Sequence, residues 1–142
     1  MIDKIYIGID PGTKTGLALW RPETKELEIS TLKIHEAMNA IKVIAEIIEK
    51  KSVKVRFEDA RQRKWFGNAG RDQLQGAGSI KRDCAIWEDF LKDLGVDFEM
   101  VAPKNTVTKI SKEYFKQLTG YKGVTSEHGR DAAMLVYGMK YS

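Results

Sequence analysis

The sequence predicts an α/β chain with one mixed, five-stranded sheet flanked by helices. Three observations lead there. Short runs in which every second residue is apolar open the chain, the apolar period then becomes helical, and strand-like and helix-like stretches alternate from there on. At 142 residues, with no internal repeat and no linker-like stretch, the sequence reads as one domain over residues 1–142. A hydrophobic fraction of 42% beside 31% charged residues is enough to fill a core, which argues against disorder.

Lys4 to Asp10 carries Ile5, Ile7 and Ile9 in alternation and stops at Pro11-Gly12, the mark of a strand entering a turn. Thr15 to Arg21 and Glu26 to Leu32 read as two more strands, joined by a turn over Pro22 to Lys25, so the opening is an antiparallel meander. From Glu36 to Lys51 the spacing of Ala37, Ile41, Ile44 and Ile48 makes one apolar helical face. Val53 to Phe57 returns to alternation and ends at Glu58-Asp59. Ala60 to Gly78 is polar, basic and glycine-rich, and is expected to be a long functional loop. A helix through Ile80, Cys84, Trp87, Leu91 and Leu94 stops at Gly95. Val96 to Val101 is the fifth strand, Thr106 to Leu118 a basic helix, and Ser126 to Met139 the last helix.

The composition removes several function classes. No apolar run approaches the ~18 residues that cross a bilayer and the N-terminus does not read as a signal peptide, so a cytoplasmic protein without membrane partners is expected. The single cysteine, Cys84, has no partner for a disulfide or a structural zinc site and reads as a small buried apolar residue. The net charge of +4 suits a polyanionic partner without requiring one.

Asp10, Glu58 and Asp131 each stand at the edge of a hydrophobic element, and His128 precedes Asp131 by three residues, on the same helix face. If the first and fourth strands lie side by side, Asp10 and Glu58 meet at one sheet end, where the last helix can deliver the other two. Such a set suits a hard divalent cation, which takes carboxylate oxygens and keeps positions open for a substrate phosphate. Two ions ~3.5 to 4 Å apart clamp both the attacking water and the leaving oxygen of an in-line displacement. Each residue also has a plainer reading. Asp10 before Pro11-Gly12 is good turn chemistry, Glu58 suits a solvated strand end, and His128 suits a helix's first turn behind a Ser126 cap.

Three segments carry a resemblance. Ile7-Gly8-Ile9-Asp10-Pro11-Gly12-Thr13-Lys14-Thr15-Gly16 resembles the first motif of the RuvC family of Holliday-junction resolvases. Val55-Arg56-Phe57-Glu58 is similar to that family's second acidic motif, and His128-Gly129-Arg130-Asp131-Ala132-Ala133 to its closing helix motif, whose first position is Asp or His. The order and approximate spacing match over essentially the whole chain. The resemblance implies an RNase H-like fold, a catalytic and metal-binding set of Asp10, Glu58, His128 and Asp131, and two Mg²⁺ ions per site with Mn²⁺ as a substitute. It further implies a homodimer making paired nicks in a four-way junction. The short chain is more like the compact members found in phages and prophages.

DNA contacts are expected from Arg61, Arg63, Lys64 and Arg71 around Trp65 and Phe66, since cations neutralise phosphates and aromatics stack on unpaired bases. The aromatic pair can equally fold back onto the core. Lys109, with Lys112 in reserve, matches the family's basic helix only in part, and both also suit a solvated helix face. Three rivals stand beside the resolvase reading: another RNase H-like nuclease acting on RNA or RNA-DNA hybrid, a non-catalytic DNA-binding protein, and the sugar kinase and actin-like ATPase group. The last shares the Gly8-Ile9-Asp10-Pro11-Gly12-Thr13 string, but the chain is too short for its two domains.

Overall fold

A computed structural model describes residues 4–62, 71–103 and 110–140, with only the backbone over 71–77. Its nine principal elements are β1 (Ile5–Asp10), β2 (Lys14–Arg21), β3 (Glu26–Lys33), α1 (Ile34–Ile47), β4 (Val53–Glu58), α2 (Arg71–Leu94), β5 (Asp97–Val101), α3 (Lys112–Thr119) and α4 (Glu127–Val136). The five strands form one mixed sheet in the order β3-β2-β1-β4-β5. β1 is antiparallel to β2 and parallel to β4, and β4 is parallel to β5. The expected α/β architecture is therefore present, with the first and fourth strands adjacent.

Alternation along β1 sorts its side chains onto two helical layers. Ile5, Ile7 and Ile9 join Val53, Val55 and Phe57 of β4 in a core closed by Ala37, Ile41 and Ala45 of α1 and by Cys84, Trp87 and Leu91 of α2. The buried residues of α1 recur every four positions, and those of α2 at intervals of three and four, so each helix lays one stripe on the sheet. Trp87 packs its ring against Phe57 at 5.9 Å and against Phe90 at 5.8 Å. On the opposite face, Tyr6 of β1 with Ala18 and Trp20 of β2 meets Phe115 of α3 and Ala132, Ala133 and Val136 of α4. Burying each of the larger side chains contributes about 1.5–3 kcal/mol.

The α4 layer lies unusually close to the strands because two glycines make room for it. A Cβ on Gly8 would collide with the Ala132 carbonyl, and one on Gly16 with the His128 carbonyl. Backbone therefore rests on backbone, which a side chain at either position would forbid. The far end of α4 is fastened by three hydrogen bonds: Trp20 Nε1 to the Met139 carbonyl at 2.8 Å, Tyr6 Oη to the Lys140 carbonyl at 3.2 Å, and Arg56 Nη1 to the Leu135 carbonyl at 2.8 Å.

Several element bounds differ from the sequence expectation. α1 begins at Ile34 rather than Glu36, because the Glu36 carboxylate turns back to accept from the Lys33 N–H at 2.9 Å and so belongs to the helix's first turn. It ends at Ile47, and a short 3-10 turn at Lys50–Ser52 precedes β4. The stretch expected to be loop as far as Gly78 is helical from Arg71, since Gly76 and Gly78 lower helix propensity without breaking this helix. α3 starts at Lys112, not Thr106: Ser111 caps it by accepting from the Tyr114 N–H at 3.1 Å, and Gly120, at φ 72°, closes it. α4 stops at Val136 and not Met139, ahead of Gly138 at φ 83°. Among the described residues, no helix is long and apolar enough to cross a membrane.

Candidate active-site cleft

The end of β1 sets the floor of the site. Ile9 pairs with Phe57 in the parallel β1–β4 register, so the next residues, Asp10 and Glu58, stand side by side at the same sheet end. Asp10 is only 8% exposed. The turn after it is held by Thr15, fully buried, whose hydroxyl donates to the Gly12 carbonyl at 3.0 Å. Glycine at position 16, directly across from Asp10 on β2, lets the first turn of α4 come down beside that carboxylate.

That turn is itself well anchored. Ser126 caps α4 by accepting from the Gly129 N–H at 2.9 Å, and its hydroxyl shares a 2.5 Å hydrogen bond with Thr31 of β3. Arg130, 7% exposed, donates to the Thr125 carbonyl and hydroxyl at 3.0 Å each and to the Ile110 carbonyl at 3.3 Å, tying the entry to α4 to the entry to α3. Held in this way, His128 brings its Nδ1 to 3.0 Å from Asp10 Oδ2. The imidazole remains half exposed, whereas the carboxylate is largely covered.

Asp10, Glu58, His128 and Asp131 all line one cleft of about 210 Å³, together with Pro11, Gly12, Ala60, Ile80, Asp83 and Cys84. The four residues come from three separated segments, and α2 adds a fourth segment to the same concavity. The structure adds Asp83, a fourth carboxylate, carried in on α2 beside Cys84. The sequence signal for it is its place three residues after Ile80, on the helix face that turns to the cleft. Among the described residues, no three His, Cys, Asp or Glu side chains are gathered closely enough to hold a metal ion as they stand. The set is convergent rather than closed. Cys84 is fully buried, and that burial pushes its thiol pKa up.

The residues expected to hold DNA divide differently. Arg61, expected to face phosphate, is turned onto the protein: its Nε donates to Asp59 Oδ1 at 2.7 Å and its Nη2 to Asp59 Oδ2 and to Glu88 Oε1, both at 3.1 Å. Burial of Asp59 opposes its charge. The hydrogen bonds from the Arg61 side chain, the Gln62 amide and the Arg61 N–H outweigh that and hold its carboxyl below the usual 3.8. The same pairing with Asp59 raises the Arg61 guanidinium still further above its ordinary range. A bidentate pair beside a buried acid explains the inward turn. Lys112 is exposed on the first turn of α3 and does not line the cleft. Arg63, Lys64, Trp65, Phe66 and Lys109 lie outside the described residues, as does the side chain of Arg71.

Sequence reasoning missed Gly16, Arg130 and Asp83. Glycine inside a strand is a readable sign of close backbone approach, and Gly16 carried that sign. Arg130 gave none, because an arginine on a helix is ordinarily solvated. No protein-family model matches this chain, and no curated protein matches it.

Proposed function

We propose that the chain is a metal-dependent endonuclease of RNase H-like fold, resembling the RuvC-type resolvases, that nicks four-way junctions or related branched DNA as a homodimer. The observation that carries the reading is the meeting of Asp10, Glu58, His128 and Asp131 in one cleft at the carboxyl end of the two central strands. These are the four residues singled out by the motif resemblance, and they come from three distant parts of the chain. The mixed five-stranded sheet, with β1 beside β4, supports the RNase H-like reading.

The donor set fits a hard divalent cation, being carboxylates plus one imidazole around a cleft open to a phosphate. Asp10, Glu58 and Asp131 are the residues that would hold Mg²⁺ or Mn²⁺, with His128 at the rim. When bound, such ions activate water and offset charge on the phosphodiester. Asp10, fixed to the sheet, sets where the reacting phosphate would lie. His128, bonded to Asp10 and half exposed, is positioned either to join the ligands or to orient the attacking water. An acidic cleft repels the nucleic-acid backbone until cations are bound, so metal and substrate should bind interdependently.

The test is cleavage of synthetic four-way junction, replication fork, linear duplex and RNA-DNA hybrid by the protein and its Asp10→Asn variant, in Mg²⁺ or EDTA. Symmetric, Mg²⁺-dependent nicking of the junction, lost in Asp10→Asn, is the expected result. Cutting of the hybrid alone would replace the substrate assignment, and binding without cutting would replace the enzyme assignment.

A further inference from the structure

Beyond the acidic floor, the same sheet end presents two lysines whose arrangement opposes folding. Asp10 of β1, Gly16 of β2 and Thr31 of β3 form one row across the sheet, through the pairings Asp10 with Gly16 and Gly16 with Thr31. The next row on the same face, about 7 Å further toward the cleft end, pairs Lys14 directly with Lys33. Both side chains are exposed. Neither forms an ion pair among the described residues, and the nearby Glu36 carboxylate accepts from the backbone N–H of Lys33 rather than from its ammonium.

Like charges directly opposite on one sheet face destabilise the pair of strands that carries them. Lys14 stands beside the cleft through its backbone: a Cβ on Gly12, a cleft residue, would lie 3.1 Å from the Lys14 carbonyl and 4.0 Å from the His128 ring, while Lys33 lies one strand further out and neither lysine lines the cleft itself. An anion between the two ammonium groups would turn the repulsion into attraction. Neighbouring elements carry the opposite demand, because the cleft itself is lined by carboxylates and does not attract a polyanion until cations are bound.

We infer that Lys14 and Lys33 form a phosphate clamp beside the cleft, gripping a backbone phosphate of the nucleic-acid strand that enters the acidic site. The inference rests on the nuclease reading and specifies which residues hold its substrate there. The clamp supplies the backbone attraction that the cleft lacks, and it fixes the strand by its phosphate, without regard to base.

Fluorescence anisotropy of a labelled four-way junction across a KCl series, in Ca²⁺, tests this with wild type, Lys14→Gln, Lys33→Gln, the double variant and a charge-matched control, Lys42→Gln on exposed α1. The slope of log affinity against log salt should fall by roughly 0.7–0.9 for each lysine removed, and stay unchanged in Lys42→Gln. Separately, and without DNA, Lys14→Glu should raise Tm by about 1–4 °C by facing Lys33 with an opposite charge. A double variant with wild-type slope and affinity overturns the clamp while leaving the nuclease reading intact. A wild type that binds no nucleic acid overturns both. Millimolar inorganic phosphate raising the Tm of wild type but not of the double variant, with DNA binding the same in both, would assign the pair to a free anion and overturn the clamp.

Discussion

Replacing Gly16 by alanine isolates the contact that brings α4 to Asp10. The backbone there is extended strand, which alanine adopts without strain, so the cost of the change is steric. The added Cβ would collide with the His128 carbonyl oxygen and lie 3.0 Å from the Gly129 nitrogen. Both are backbone atoms of a capped helical turn and cannot swing aside as a side-chain tip would. The turn must lift by roughly 1 Å to restore ordinary contact. That stretches the 3.0 Å link between His128 Nδ1 and Asp10 Oδ2 past hydrogen-bonding range. Overpacking of this kind costs about 1–3 kcal/mol, or a fall in Tm of roughly 4–12 °C for a chain of this size. Calorimetry gives the Tm, and the imidazole resonances of His128 report the broken link. An alanine variant with unchanged Tm and unchanged His128 resonances would refute the claim that α4 rests backbone to backbone on β2.

Four further outcomes are expected. Gly78→Ala, at an exposed position on α2 where a Cβ meets nothing within 4 Å, should stabilise by about 0.5–1 kcal/mol in chemical denaturation, the opposite sign to Gly16→Ala. Asp59→Asn should cost about 1–3 kcal/mol at pH 7 by loosening the Arg61 pair. Because folding lowers the Asp59 pKa below 3.8, its carboxylate stabilises the fold above that pH and the contribution is lost as pH falls through the lowered value. The variant's stability should therefore fall less steeply than wild type below pH 4, and superimposable acid limbs would exclude the pairing as a source of stability. Cys84 should resist a thiol reagent at pH 7 in the native state and react at the rate of unfolding, since burial removes both access and thiolate. Arg130→Met should lower Tm by several degrees, a loss that follows from three carbonyl and hydroxyl acceptors left without their donor, and hydrogen exchange should locate the loosening at Thr125 and Ile110.

The parts of the fold that sequence reasoning reached are those governed by local periodicity. Alternation in Ile5, Ile7 and Ile9 and in Val53, Val55 and Phe57 fixes two strands and, with their terminal acids, one end of the sheet. Asp10 and Glu58 were legible for that reason, and His128 and Asp131 because three-residue spacing is a helix face. What was not legible depends on partners distant in sequence. The inward turn of Arg61 follows from the burial of Asp59, whose N–H donates to the Val101 carbonyl at 2.7 Å, a tie that a residue at a strand end does not announce. The start of α2 was hidden by Gly76 and Gly78, whose low propensity imitates a loop. The cap at Ser111 was passed over because Lys109, Lys112 and Lys116 recur at helical spacing across it.

The central strand has a consequence for how the molecule breathes. β1 is flanked by β2 and β4 along its edges and by helices on both faces, and all six of its residues are buried. Its amide hydrogens can reach solvent only when the whole sheet comes apart, so they should be the slowest of the chain to exchange with deuterium. Asp10 is the last residue of that strand. The group around which the site is arranged thus belongs to the part of the protein that opens least often. His128, at the start of α4 and bonded to Asp10, is thus set against a reference point that stays still.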